Sequence, residues 1–216
     1  MSVTTVFVSR LHFPVTALGP GRRVGLWLQG CSIRCPGCIS ADTWEPAVGA
    51  VPLEHLLDRM SEMADGAEGL TVSGGEPFDQ PEALAAVLAR WRELSTKSTL
   101  VFTGRELEDV AGWTARHPGL IDALITGPFR SDLPQTLAMR GSDNQRIHAM
   151  TDAGAGMLAY DRPATDADRR LDVAFDELGH AWLAGIPARG EMGRLRRTLA
   201  KAGHRAATSD MVGAHS

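Results

Sequence analysis

Residues 24–38 read Val24-Gly-Leu-Trp-Leu28-Gln29-Gly30-Cys31-Ser-Ile-Arg-Cys35-Pro-Gly-Cys38. An apolar, strand-forming run, Val24 to Leu28, passes through one glycine into a C-x3-C-x2-C triplet, so the cysteines sit on a loop at a strand end. Thiolates are soft ligands suited to iron–sulfur clusters and zinc. Three of them in one tight loop can hold three irons of a cubane cluster. The fourth iron then lacks a protein ligand, unlike the four-cysteine sites of electron-carrying ferredoxins. An open iron accepts a small molecule, so the pattern favours chemistry over electron carriage alone. Pro36 and Gly37 help the backbone turn between Cys35 and Cys38. The competing reading is zinc with a histidine as fourth ligand. Zinc sites usually carry two separated ligand pairs, whereas His12, His55, His117, His148, His180, His204 and His215 are scattered.

Outward from this loop, apolar periodicity predicts strands at Val6–Val8, Gly69–Ser73, Leu100–Thr103 and Leu120–Ile125. Helices are predicted over Pro52–Asp65, on a stripe of Leu84, Val87, Leu88 and Trp91, and over Glu106–His117. Strand–helix alternation implies parallel β–α units with helices packed on a sheet. From 128 to 160 the pattern reads as loops with short strands, and 164–170 as a polar linker or an exposed turn. Strands Leu171–Phe175 and His180–Ala184 and a helix carrying Met192, Leu195 and Leu199 follow, with Gly203 as its C-terminal cap. This last unit either extends the sheet or forms an appendage. Trp27, Trp91, Trp113 and Trp182 are assigned to packing.

The chain has 216 residues, 44% hydrophobic and 22% charged, with a formal net charge of -4. No global basic field exists to gather nucleic acid. No apolar run reaches the ~20 residues that span a bilayer, and residues 1–10 lack the features of a signal peptide. The expected location is the cytoplasm. Three cysteines within eight residues argue against a disulfide framework.

A second motif, Gly74-Gly75-Glu76-Pro77, ends the strand that starts at Gly69. Glycines allow positive φ and close backbone approach, and alone this motif reads as a strand-to-helix connection. Together with the cysteine triplet it resembles the radical S-adenosylmethionine (SAM) superfamily. Finer features are similar to the activating proteins of anaerobic ribonucleotide reductases: Pro36-Gly37 inside the triplet, Thr43-Trp44, Phe102-Thr103-Gly104, Gly127-Pro128-Phe129, and Arg140 to Ile147. The resemblance covers about residues 5 to 150.

That resemblance implies an incomplete β/α barrel, a parallel sheet with helices outside, over residues 1–150, with a small C-terminal extension over 151–216. It implies a [4Fe-4S] cluster on Cys31, Cys35 and Cys38 with SAM bound to the open iron. Cofactor-contacting positions would be Gly37 and Ile39, the turn Gly74, Gly75, Glu76 and Pro77, then Thr103, Asn144, Gln145 and Arg146. Glu76 would accept the SAM ammonium. Asn144 to Arg146 also read as a polar surface turn, and Thr103 as a strand cap. The implied reaction splits SAM reductively to a 5′-deoxyadenosyl radical, which removes a hydrogen atom from a glycine of a partner glycyl radical enzyme. Flavodoxin or ferredoxin would be the electron donor. Thr126, where the family usually has aspartate, and Ile39-Ser40, where it has an aromatic residue and asparagine, leave the partner open. A radical SAM enzyme acting on a small molecule or peptide, and a non-catalytic cluster-binding protein, are the other readings.

Overall fold

In the structure, a computed structural model that describes residues 5–175, 181–204 and 208, the chain runs β1 (Thr5–Val15), β2 (Arg23–Leu28), β3 (Ala50–Pro52), α1 (Leu53–Ala64), β4 (Gly69–Gly74), α2 (Pro81–Leu94), β5 (Ser98–Phe102), α3 (Leu107–Arg116), β6 (Ala123–Thr126), β7 (Arg146–Ala149), β8 (Leu171–Phe175), β9 (Ala181–Gly185) and α4 (Glu191–Lys201). The main sheet has the order β3-β1-β2-β4-β5-β6-β7. Its centre, β2, β4, β5 and β6, is parallel, as strand–helix alternation predicts. β1 and β7 pair antiparallel with β2 and β6, so the fold is mixed α/β with a largely parallel sheet.

Side-chain alternation assigns the two faces of the sheet. Val24, Leu26 and Leu28 of β2 join Leu70, Val72 and Val101 in a core shared with the helices. The α2 stripe Leu84, Val87, Leu88 and Trp91 is fully buried there. Each such side chain contributes roughly 1.5–3 kcal/mol by leaving water. On the other face, Leu100, Ala123 and Ile125 meet Met139 and Met157, and Trp27 meets Val15, Leu18 and Ala184.

Arg23 is fully buried and laces the amino-terminal ends of the central strands. It donates to Thr71 Oγ1 at 2.7 Å, Leu70 O at 2.8 Å and Ser98 O at 2.9 Å. Burial pulls its pKa down to about 10. An added Cβ at Gly69 would lie 2.1 Å from Arg23 Nη1, which explains a glycine at the first position of β4.

β1 extends well beyond Val6–Val8 because it is paired on both sides. Its half-buried Arg10 and His12 dilute the apolar signal. β6 begins at Ala123 rather than Leu120 because Asp122 turns its carboxylate inward. That carboxylate accepts from Thr99 N at 2.8 Å and Arg92 Nη2 at 2.5 Å. In 128–160 the ordered pieces are β7 and a 3-10 segment, Asp152–Tyr160. β8 and β9 form a separate two-stranded sheet. Of the strand predicted at His180–Ala184, His180 lies outside the described residues. Gly203 follows α4 with φ 83°, the left-handed turn expected there.

Candidate functional site

Because β2, β4, β5 and β6 run parallel, their carboxyl ends share one edge of the sheet. Cys31–Cys38 follow β2, Gly75–Pro77 follow β4, Thr103 follows β5 and Gly127-Pro128 follow β6. Ligand sites of parallel α/β folds gather at this edge.

The cysteine loop is pinned at its base. Gly30 N donates to Thr43 O at 2.8 Å, Cys31 N to Trp44 O at 3.2 Å, and Gln29 Nε2 to Glu45 O at 2.9 Å. Positive φ at Arg34 (51°) and Gly37 (77°) turns the chain between the cysteines. All three thiols are free and half-buried. Each sulfur meets N–H donors: Cys31 from Ile33 and Arg34, Cys35 from Phe129, Cys38 from Ser40 and the Trp44 indole. Burial outweighs them, raising all three pKa values and pushing Cys38 up to about 11.

Among the described residues, no three His, Cys, Asp or Glu side chains are gathered as a ready-made metal site. The donor set nonetheless fits a cluster. It is three soft thiols on one loop, each with N–H donors that favour its thiolate.

The Gly-Gly-Glu-Pro turn rests directly on this loop. Gly75 N donates to Leu28 O at 2.8 Å and Glu76 N to Gly30 O at 2.9 Å. An added Cβ would lie 2.3 Å from Leu28 O at Gly74 and 2.0 Å from Gly30 O at Gly75. The glycine pair therefore permits backbone-on-backbone packing of the β4 end against the start of the cysteine loop.

Glu76 is 1% exposed. Its Oε1 accepts from Phe78 N at 3.0 Å and Thr103 Oγ1 at 2.8 Å, and its Oε2 from Gly104 N at 2.9 Å. Desolvation outweighs these donors and raises its pKa. The carboxylate thus brackets the ends of β4 and β5, and Thr103 is one of its donors. Pro77 opens a short 3-10 turn, Pro77–Asp79.

Asn144 and Gln145 tie the later segment to the same edge. Asn144 Nδ2 donates to Pro128 O at 2.8 Å, and Gln145 Nε2 to Gly127 O at 3.0 Å. Arg146 stands apart, exposed and donating to Asp143 O at 2.8 Å. Ile39 is half-buried and Gly37 exposed on the loop. Thr126 Oγ1 lies 3.0 Å from His148 Nε2.

Two residues that the motifs do not mark complete the frame. Asp79 accepts from Ser32 N at 2.7 Å, Ser32 Oγ at 2.9 Å and Arg105 Nη2 at 2.6 Å. It ties the cysteine loop to the loops after β4 and β5. Gln80 Nε2 donates to Phe7 O at 2.8 Å and Gln29 O at 2.9 Å. The available signal was their place in Pro77-Phe-Asp-Gln-Pro81, immediately after the glycine turn.

A cavity of about 560 Å³ flanks the loop, lined by Cys31, Arg34, Trp44, Asp79 and Gln80 among others. None of Cys35, Cys38, Gly74–Pro77 or Thr103 lines it, so it adjoins the outer side of the loop rather than joining the motifs. Among the described residues, no helix is long and apolar enough to cross a membrane.

Comparison with known proteins matches residues 17–148 to the 4Fe-4S single cluster domain. Anaerobic ribonucleoside-triphosphate reductase-activating proteins align with this chain. That of Salmonella typhi is 32% identical over 63% of this chain and 95% of the relative. That of Escherichia coli K12 is 31% identical over 63% and 95%. That of bacteriophage T4 is 30% identical over 62% and 88%.

Proposed function

We propose that this chain, which belongs to the 4Fe-4S single cluster domain family, is a radical SAM activase that installs a glycyl radical on an anaerobic ribonucleotide reductase or a related enzyme. Cys31, Cys35 and Cys38 would hold the cluster. A cluster held there would supply one electron for the reductive cleavage of SAM to methionine and a 5′-deoxyadenosyl radical, the species that would take a hydrogen atom from a glycine of the partner. The observation that carries the reading is the shared carboxyl edge, where the cysteine loop, the Gly74–Pro77 turn and Thr103 adjoin across three parallel strands. The names of the aligned relatives support the activating role.

The chain's own residues prepare this edge. Gly74 and Gly75 bring bare backbone beside the cysteine loop, a surface on which the methionine end of SAM can lie. Among the described residues Glu76 Oε2 accepts one hydrogen bond, from Gly104 N, which leaves it capacity for the SAM ammonium. Gly37 and Ile39 would line the cluster side. Asn144 and Gln145 would act through the backbone of Gly127 and Pro128, and Arg146 as a carboxylate grip beside them.

On this reading the sheet is an incomplete β/α barrel formed by residues 1–150, and 151–216 are an extension. The protein works in the cytoplasm with an electron donor such as flavodoxin or ferredoxin. A second reading, a small-molecule or peptide substrate, is favoured by Thr126, where the activases usually carry aspartate, and by the C-terminal extension, whose β8–β9 hairpin lies outside the matched span 17–148.

The test is electron paramagnetic resonance (EPR) of an anaerobic ribonucleotide reductase incubated with the reduced protein and SAM. A glycyl radical that depends on Cys35 is expected. Its absence while SAM is still cleaved would move the assignment to the second reading.

A further inference from the structure

The β8–β9 hairpin and the segment after it lie beyond residues 17–148, the span matched by the family, yet they are joined to the cysteine loop. The hairpin is rooted by Asp172. Its carboxylate accepts from Thr16 N at 2.6 Å, Thr16 Oγ1 at 2.7 Å and Ala17 N at 2.9 Å. Trp182 meets His12 edge-on at 4.4 Å between centroids, and Ala184 is buried. From this root the chain passes Pro187, whose carbonyl accepts from Gln135 Nε2 at 3.1 Å, and reaches Arg189 just before α4.

Arg189 donates to three backbone carbonyls of one loop: Arg130 at 3.0 Å, and Ser131 and Leu133. Carbonyl oxygens converging on one point repel each other unless a cation stands among them, and a guanidinium offers five donors for that place. Its Cζ also lies 5.9 Å from the Phe129 ring centroid. This same loop touches the cysteines. Phe129 N–H is a donor to the Cys35 sulfur, and a Cβ at Gly37 would meet Ser131 Cβ at 3.5 Å and Phe129 Cε1 at 3.6 Å.

We infer that Arg189 is a positioning residue for the cluster: the C-terminal segment is a clamp that fixes the Phe129–Leu133 loop against Cys35 and Gly37. The inference rests on the cluster assignment proposed above. Its chemistry is that of a residue behind the ligands, which fixes a sulfur's hydrogen bond and thereby the ligand's orientation. Without Arg189 the carbonyls of Arg130, Ser131 and Leu133 push apart, and the Phe129 N–H leaves Cys35.

The test uses the full chain reconstituted anaerobically with iron and sulfide. Iron release to a ferrous chelator and the EPR spectrum of the reduced cluster are compared for wild type, Arg189→Ala and Arg189→Lys. The apo proteins are melted alongside. Arg189→Ala is expected to release iron about tenfold faster, as for other residues behind metal ligands. Its reduced-cluster signal should broaden or shift, and its apo melting should stay unchanged. Arg189→Lys keeps a cation and three donors and should recover most of the difference. Asp172→Asn, which loosens the root and leaves the Phe129–Leu133 loop untouched, should release iron faster in the same way. Wild-type iron release and spectrum in Arg189→Ala overturn the clamp while the cluster assignment stands. Equal losses in apo melting and iron retention in both Arg189 variants reduce it to a general fold contact and overturn it. A wild-type protein that assembles no cluster overturns the cluster assignment and the clamp with it.

Discussion

The Thr103 hydroxyl donates to the buried carboxylate of Glu76 at 2.8 Å, joining the ends of β4 and β5 over 27 residues of sequence. Replacing Thr103 with valine removes that donor and the hydroxyl that accepts from Arg105 N at 3.1 Å, and leaves Glu76 with Phe78 N, Gly104 N and the Arg105 guanidinium at 4.0 Å. A loss of about 1–3 kcal/mol is expected, most of it from the lost bond to a buried charged group, read from urea unfolding of the apo protein.

Burial raises the Glu76 pKa above its ordinary value of 4.5, which fixes the sign of a pH effect. Between that value and the raised one, the folded state binds more protons than the unfolded state, so this group's contribution falls as pH rises. Full stability from Glu76 is present below its unfolded pKa and is lost as pH passes the folded one. Glu76→Gln carries no titrating group, and its stability relative to wild type should increase as pH rises through this window. The amide also sets a donor against Gly104 N–H, so the variant should be less stable than wild type at the acid end. Parallel stability–pH curves for the two proteins would contradict the assignment.

Gly75→Ala places a Cβ 2.0 Å from Gly30 O and 2.9 Å from Thr43 O, both backbone atoms that cannot swing away. A loss of at least about 2 kcal/mol is expected, in the range of other strain-creating core changes, together with reduced iron loading. Gly119→Ala, where the added Cβ meets nothing within 4 Å, serves as the control. It keeps only the penalty of its positive φ, and iron loading should be normal.

In the metal-free protein, Cys38 should alkylate most slowly of the three cysteines. Its thiol is pushed up to about 11, so at pH 8 roughly one molecule in a thousand carries the reactive thiolate. Cys31 and Cys35, whose thiols are less deeply buried, should react first with iodoacetamide. Mass spectrometry of the cysteine peptide reads the order, and iron–sulfide reconstitution should protect all three.

Much of this arrangement was legible in the sequence because it depends on local chemistry. The run Val24–Leu28 into Cys31 placed the loop at a strand end, and the Leu84, Val87, Leu88, Trp91 spacing gave α2 and its buried face. Gly74 and Gly75 marked a close approach, although the atoms approached are Leu28 O and Gly30 O, which no local pattern could name. β3 escaped because a three-residue edge strand carries too little alternation to register, and β7 was legible only as one of the short strands of 128–160. Asp79, Gln80 and Arg189 escaped for a different reason. Their partners lie 26 to 73 residues away, and a single polar residue has no periodicity to betray a long-range bond. Arg146 reads as part of the site through its neighbours Asn144 and Gln145, and its bond back to Asp143 O from the start of β7 is a detail that no local pattern could name.

On the proposed function, Cys31, Cys35 and Cys38 hold a cluster that cleaves SAM beside the Gly74–Pro77 turn. The most direct measurement is anaerobic reconstitution with iron and sulfide, addition of SAM and dithionite, and chromatographic quantification of 5′-deoxyadenosine. Wild type should produce it, and Cys35→Ala should abolish production. A wild-type protein that binds zinc in place of iron, or that holds a cluster and releases no 5′-deoxyadenosine, would contradict the proposed function.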